Sequence, residues 1–122
     1  MTAWRESAAV VVVACLGLAC ASKPPPRDAL AKAEEAVARA RAQDAAEHAP
    51  LALRKAEDKL AQARDASRDD DEYGKARRLA EQAEVDAQLA LVEAERAQAE
   101  EAHDEVERGV RALDEEIHHD AR

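Results

Sequence analysis

The sequence predicts an all-α protein, an antiparallel three-helix bundle with a very long third helix that extends as a single helix or a coiled coil. Two features of the composition support this. The chain is rich in charged residues (37%) and alanine (about a quarter), and it is poor in aromatic residues (2%). Chains so rich in Ala, Glu, Lys, Leu and Arg are typical of long helices. A third feature is that only Gly74 and Gly109 follow Pro50 as glycines, and no further proline occurs. Few residues therefore interrupt helical structure.

The N-terminal segment contains an apolar run of 13 residues, Ser7 to Ala19, directly before Cys20. A membrane-spanning helix needs about 20 apolar residues, so this run is too short to cross a bilayer and has the length of a signal-peptide core. The small residue Ala19 suits a peptidase that cuts ahead of a lipid-modified cysteine. We therefore predict a lipoprotein signal peptide over residues 1–19 and lipidation at Cys20. The alternative is an ordinary secretory signal, cut near Ala19 or Ala21.

Lipidation of Cys20 would determine how the protein is anchored. The lipid would attach the chain to a membrane and block the thiol, so that helix packing rather than a disulfide holds the domain together. Ala21, not aspartate, follows the cysteine, and we expect the periplasmic face of the outer membrane in a diderm host. Residues 20–27 then form a proline-rich tether, in which Pro24–Pro26 favour an extended chain of about 3.1 Å per residue.

Residues 28–122 form the predicted helical domain, which opens with two shorter helices. Asp28 is the predicted N-cap of the first helix, about 29–47. Pro50 ends that helix and, because proline is accepted in a first turn, also opens the second, about 51–67. Apolar residues recur every three or four positions in both, which predicts one buried face on each. These residues are Leu30, Ala33, Val37 and Ala40, then Leu53, Ala56, Leu60 and Ala63.

The third predicted helix runs from about 72 to about 118. The acidic cluster before it supplies an N-cap, Asp70 or Asp71, with charges suited to the positive end of a helix dipole. Tyr73 is expected to anchor the second and third helices. The helix carries an alanine-rich stripe in its first half and a bulkier one in its second. The first consists of Ala76, Leu79, Ala83, Ala87, Ala90 and Ala94, and the second of Ala102, Val106, Val110, Leu113 and Ile117.

The second stripe is the predicted interaction site. Two short helices can cover the first half of the third helix in a bundle, but they leave its second half without a partner in the chain. We expect an interaction seam there for a second copy of the protein or a partner protein. Its residues are Val106, Val110, Leu113 and Ile117. The alternative is a solvated helix supported by pairs such as Asp104 with Arg108, each worth a few tenths of a kcal/mol.

The sequence contains no clear pattern of nucleic-acid-binding, metal-binding or catalytic residues. The net charge of −9 argues against nucleic acid as a partner, because phosphate binding needs a basic face. His118 and His119 are adjacent, so on a helix they point about 100° apart and do not converge on a metal. His48 and His103 accompany no serine or cysteine nucleophile in a recognisable motif. We therefore expect no catalytic residues, no cofactor, no metal and no enzymatic activity.

Three segments carry a resemblance to a known family. They are Ala49-Pro50-Leu51-Ala52-Leu53, the run from Glu72 to Ala83, and Asp86-Ala87-Gln88-Leu89-Ala90. Over roughly residues 20–99 the chain resembles the bacterial lipoprotein family catalogued as domain of unknown function 4398. The resemblance implies a lipidation motif, a small helical domain and, in some members, an added OmpA-like peptidoglycan-binding domain. It implies no established activity.

These observations lead to one functional hypothesis and two alternatives. We expect a non-enzymatic, lipid-anchored helical protein of the cell envelope that acts as a structural or protein-interaction module through its third helix. One alternative is a periplasmic accessory or chaperone-like subunit that binds a client protein. The other is a binder of a small ligand or a metal.

Overall fold

The computed structural model describes residues 23–121, and all regular structure in that range is helical. The elements are α1 (Arg27–Ala42), α2 (Ala45–His48), α3 (Pro50–Ala66), a short 3-10 turn (Asp70–Glu72) and α4 (Tyr73–Asp120). The last helix is 48 residues long. At 1.5 Å per residue it extends about 70 Å. The predicted fold class, a three-helix bundle with a very long last helix, is confirmed. Cys20 and the predicted signal peptide lie outside the described residues.

Charged contacts between helices show how the chain is threaded. Arg64 of α3 reaches Glu34 of α1 at 2.8 Å, and Arg41 near the end of α1 reaches Glu57 nearer the start of α3 at 2.6 Å. This crossed order means that α1 and α3 run in opposite directions. At the other interface, Arg77 donates to the Pro24 carbonyl and the Gln98 amide donates to the Gln43 carbonyl. α1 therefore runs parallel to α4, with α3 antiparallel to both.

The core is built mainly from alanine. All six buried residues of α4 are alanines: Ala76, Ala80, Ala83, Ala87, Ala90 and Ala94. Five of them, from Ala80 to Ala94, form one cluster with residues of the other helices that include Ala33, Val37 and Ala40 of α1 and Leu53, Ala56, Leu60 and Ala63 of α3. Small side chains let the helix backbones approach closely, but each contributes little apolar area at about 25 cal/mol per Å². Sequence periodicity placed Leu79 rather than Ala80 on the buried stripe of α4, and Leu79 is only half-buried.

The predicted first helix, 29–47, is wrong as a single element. α1 ends at Ala42, and Asp44 takes a left-handed conformation with φ 56° before the single turn of α2 begins. Aspartate is among the few residues that tolerate this conformation, so the break needs no glycine or proline. The turn places Ala45 in the core and His48 beside Glu101 of α4, with 3.6 Å between Nδ1 and Oε1.

The helix starts also differ from prediction. α1 begins at Arg27 with Pro26 in the N-cap position, so Asp28 lies in the first turn, where its charge still faces the positive helix end. Asp69, rather than Asp70 or Asp71, is the side-chain cap: its Oδ1 accepts from the Asp71 amide at 3.0 Å. This bond caps the 3-10 turn that leads into α4.

Tyr73 does not fill the predicted anchoring position. The side chain is only half-buried and is not part of the core cluster. Its neighbour is the acidic cluster, because the Asp70 carboxylate is the main cause that raises the pKa of Tyr73. Tyr73 therefore lies at the first turn of α4 beside Asp70 and does not anchor α3 to α4 through the core.

The end of the predicted tether lies against the bundle. Pro26 is buried, and Arg77 Nη2 donates to the Pro24 carbonyl at 3.2 Å. Lys23 reaches the first turn of α4, with its Nζ near Gly74. Residues 23–26 are therefore not a free spacer, because they cover the beginning of α4. The described chain thus enters the bundle at the end where α4 starts.

Candidate functional site

The second half of α4 leaves the bundle. Hydrogen bonds and ion pairs that join α4 to other described elements end at Glu101, beside His48. Every residue from Ala102 onward in the described chain is exposed. We call residues 102–120 the arm; at 1.5 Å per residue it is about 28 Å long. Side-chain contacts within the arm are local, such as Arg111 to Glu107 at 2.9 Å.

The four predicted seam residues all lie on the arm. Val106, Val110, Leu113 and Ile117 are each 60–66% exposed. Their spacing of four, three and four places them on one face of the helix. The predicted neighbour Ala102 lies beside this line rather than on it, because the three-residue step back from Val106 leads to His103.

Sequence reasoning missed three further members of the same face. Val85, Leu89 and Val92 are large apolar residues of α4 that the bundle leaves 50–63% exposed. Counted back from the arm through Ala99, these residues continue the same alternating spacing of four and three residues. Each follows a buried alanine of α4 by two positions, which is a rotation of about 200°, so they point away from the core.

We call this whole face the outer seam. It consists of Val85, Leu89, Val92, Arg96, Ala99, His103, Val106, Val110, Leu113 and Ile117, in that order along α4. Its apolar ends are separated by two polar positions, Arg96 and His103. The seven-residue period that defines it was visible in the sequence, but the alanine stripe two positions away was interpreted as the only buried face of that half.

Acidic side chains border the outer seam. Along one edge they recur every seven residues, as Asp86, Glu93, Glu100, Glu107 and Asp114, and the other edge includes Glu95 and Glu116. Asp86 forms an ion pair with Lys59 of α3, with 2.6 Å between Oδ2 and Nζ. Both arginines of the arm, Arg108 and Arg111, lie more than about 120° around the helix from the seam. The surface presented by the arm is therefore apolar with acidic edges.

Arg96 is the one arginine within the outer seam. Its Nε lies 2.8 Å from Glu100 Oε1, one turn further along. This hydrogen bond, together with the carboxylate charge, raises the pKa of Arg96 above its ordinary value. The guanidinium charge is thus already paired on the surface of the helix.

The rest of the described surface carries no comparable site. Grooves between helices are open, and one of about 400 Å³ is lined by Pro24–Pro26 and by polar side chains including Lys32, Arg77 and Glu81. Within residues 23–121, no three His, Cys, Asp or Glu side chains are placed to hold a metal ion. None of the helices in that range combines the length and apolar character that crossing a membrane requires.

Comparison with known proteins identifies the family of the chain. A family model described as Domain of unknown function (DUF4398) matches residues 28–106, which is more than half of the 122 residues. The match covers the three main helices up to the beginning of the arm and reaches the first large apolar residue of the arm, Val106. No curated protein and no solved structure matches the chain significantly. The chain therefore belongs to the family described as Domain of unknown function (DUF4398).

Proposed function

We propose that this protein is a lipid-anchored, non-enzymatic interaction module of the cell envelope, which binds another protein through α4. The observation that carries the proposal is the outer seam, seven large apolar residues on one face that are all at least 50% exposed. Exposed apolar surfaces arranged in this way are typical of protein interaction sites. A helix that served only as a solvated connector would not need seven large apolar residues on one face.

The position of Lys23 in the bundle supports a lipid anchor at the end of the molecule opposite the arm. Because α1 runs parallel to α4, Lys23 lies near Gly74, at the start of α4, and the arm lies at the other end. Cys20 precedes Lys23 by three residues, which span at most about 11 Å. A lipid on Cys20 would therefore sit at the opposite end of the molecule from the arm. In this arrangement the arm would reach tens of ångströms from its attachment point, into the periplasm of a diderm host.

The anchor has its own test. Labelled palmitate should be incorporated into the protein in bacterial cells, and Cys20→Ala should abolish the label and release the protein from the membrane fraction. Cys15→Ala is the matched control, because Cys15 lies within the predicted signal peptide. A Cys20→Ala protein that stays in the membrane fraction would contradict the lipid anchor.

The interaction is tested by photo-crosslinking in intact cells. A photoreactive residue at Val110, on the outer seam, should give a defined adduct with another protein, identified by mass spectrometry. The same residue at Arg108, on the opposite face of the arm, is the control and should give little or none. Equal labelling from the two positions, or none from Val110, would refute the proposed interaction surface. One dominant adduct would indicate a dedicated partner, and many would indicate an accessory protein with several clients.

A further inference from the structure

We infer that the outer seam binds a partner helix whose own apolar stripe is flanked by lysine and arginine, in preference to a second copy of this chain. This inference rests on the proposed function and states the chemistry of the partner. It follows from the length of the seam and from the charges along its edges.

The seam is long enough to specify a two-helix contact. Its alternation of four and three residues runs unbroken from Val85 to Ile117, which is more than four heptads and about 48 Å of helix. A coiled-coil assignment needs apolar residues at such spacing over three to four heptads, and eight of the ten seam positions are apolar, all but Arg96 and His103. The arm alone, with four large apolar residues, falls short of this length. Only the structure shows that Val85, Leu89 and Val92 are free to extend it on the outside of the bundle.

The edges of the seam disfavour a second copy. In a two-stranded coiled coil, the residues next to the apolar line face their counterparts on the partner helix and determine which helices pair. From Glu93 onward, the charged residues at these positions are all acidic: Glu93, Glu95, Glu100, Glu107, Asp114 and Glu116. Two copies would bring acid against acid whether they paired parallel or antiparallel. A partner with basic edges would match the charges in either orientation.

The charges elsewhere on the arm do not offset this repulsion. Arg108 lies on the opposite face, and its Nε donates to the Asp104 carbonyl of its own helix. Arg111 lies outside the acidic edge of the seam, and its Nη2 is 2.9 Å from Glu107 Oε2. It therefore partly neutralises one of the acidic residues. The arm as a whole has seven acidic residues against these two arginines. The field near the seam therefore attracts a cationic helix and repels an anionic one.

Arg96 and His103 add a condition on how the partner is aligned. Polar residues within an otherwise apolar seam fix the register of a coiled coil, at some cost in stability. Because Arg96 is paired with Glu100 on the same helix, a partner need only accommodate the pair, with a small or acidic residue opposite. The partner is thus expected to have two apolar blocks separated by a polar interval of about one heptad.

The experiment uses the protein extracted from membranes in detergent and three synthetic helical peptides of about five heptads. The first peptide has a leucine and isoleucine seam with lysine at every flanking position. The second has the same seam with glutamate at those positions. The third has the composition of the first in a scrambled order, which keeps its charge and removes the seam. Fluorescence anisotropy gives the affinity of each.

We expect the lysine-flanked peptide to bind at least about tenfold more tightly than either of the others. Val110→Glu should abolish this binding, and Ala112→Glu, which adds the same charge off the seam, should not. Glu100→Lys combined with Glu107→Lys should weaken binding of the lysine-flanked peptide by about tenfold and improve that of the glutamate-flanked one. Glu105→Lys combined with Glu115→Lys changes the net charge equally on the other faces and should alter either affinity less than about threefold.

Three results would overturn the inference: equal binding of the lysine- and glutamate-flanked peptides, no binding of the lysine-flanked peptide, or a stable homodimer crosslinked through Val110 at neutral pH. None of the peptide results depends on crosslinking to another protein in cells. A seam that crosslinks a partner but shows no preference for basic edges would refute this inference alone, whereas a seam without a cellular partner would refute the proposed function.

Discussion

The Lys59 ammonium lies 2.6 Å from Oδ2 of Asp86 and joins the middle of α3 to α4. Both side chains are only partly exposed, at 34% and 20%. Asp86 Oδ2 is shielded from solvent and has no well-aligned hydrogen-bond donor among the described residues. The contact is therefore an ion pair by distance rather than a good hydrogen bond. The Lys59 charge is what compensates this oxygen for the loss of water.

Lys59→Met should lower the free energy of unfolding by about 1–2 kcal/mol, because it leaves the Asp86 carboxylate partly buried without a counter-charge. Urea denaturation measures the change. Adding Asp86→Asn to the Lys59→Met protein should restore part of the loss, since no charge then remains uncompensated. Lys55→Met, at an exposed position one turn earlier on α3, is the control and should change stability little. Equal effects of the two lysine variants would contradict this account of the pair.

Ala87→Leu should destabilise the bundle by about 1–3 kcal/mol. Ala87 is fully buried at the centre of the alanine stripe of α4, and three added carbon atoms would force the helices apart. Thermal unfolding followed by circular dichroism measures the loss. Ala112→Leu makes the same change on the exposed arm and should leave the transition of the bundle unchanged. A neutral Ala87→Leu variant would mean that the helices are not packed as closely as the structure indicates.

Gly109→Ala should stabilise the arm as a helix. An added Cβ at Gly109 would meet nothing within 4 Å, so the change is expected to contribute the helix-propensity difference of about 1 kcal/mol. Amide hydrogen exchange should slow by about fivefold near residues 105–113, because local opening of the exposed arm controls exchange there. Exchange in α1 and α3 should not change. Unaltered exchange around residue 109 would show that the arm does not open locally at this glycine.

The pKa of Tyr73 should depend on Asp70. A hydrogen bond to the Asp70 carboxylate, followed by burial and the charge of that carboxylate, raises the pKa of Tyr73 above its ordinary value of 10.0. Tyr73 is the only tyrosine in the chain, so phenolate absorbance reports it alone. Asp70→Ala should lower this pKa toward the ordinary value. Asp71→Ala, at the adjacent residue, should have little effect.

The same contact predicts a direction for stability against pH. The folded state holds the Tyr73 proton more tightly than the unfolded chain, so the contribution of this contact is complete below pH 10 and is lost as the pH rises through the folded pKa. Tyr73→Phe should therefore lose less stability than the unmodified protein between neutral pH and strongly alkaline pH. An identical pH dependence of the two proteins would show that the hydrogen bond contributes nothing to folding.

Several helix features followed from sequence, and others did not. Pro50 predicted the start of α3 to within a residue, because proline is well suited to the first helical turn. The break at Gln43 and Asp44 was not predictable from breaker residues, since neither is glycine or proline. It depends on the tertiary contacts of α2, which place Ala45 in the core and His48 against Glu101.

The candidate site shows the same division. The four large apolar residues of the arm were evident from their spacing, and because two short helices cannot cover the whole length of the long one. Val85, Leu89 and Val92 were not recognised, because only the alanine-rich stripe was considered in that half of α4. Hydrophobicity alone favours burying valine and leucine over alanine, yet the six buried residues of α4 are alanines and these three larger side chains remain outside.

The sequence by itself determined that the chain is helical, that its last helix is long, and that this helix carries two apolar lines with a seven-residue period. These properties depend on composition and spacing, which act locally along a helix. The alanine line was already predicted to face the bundle; only the tertiary structure decided that the second line stays exposed beside it. Two helices packed against α4 at once require small side chains between the backbones, so the alanine line is buried. The line of valine, leucine and isoleucine is consequently left exposed from Val85 to Ile117.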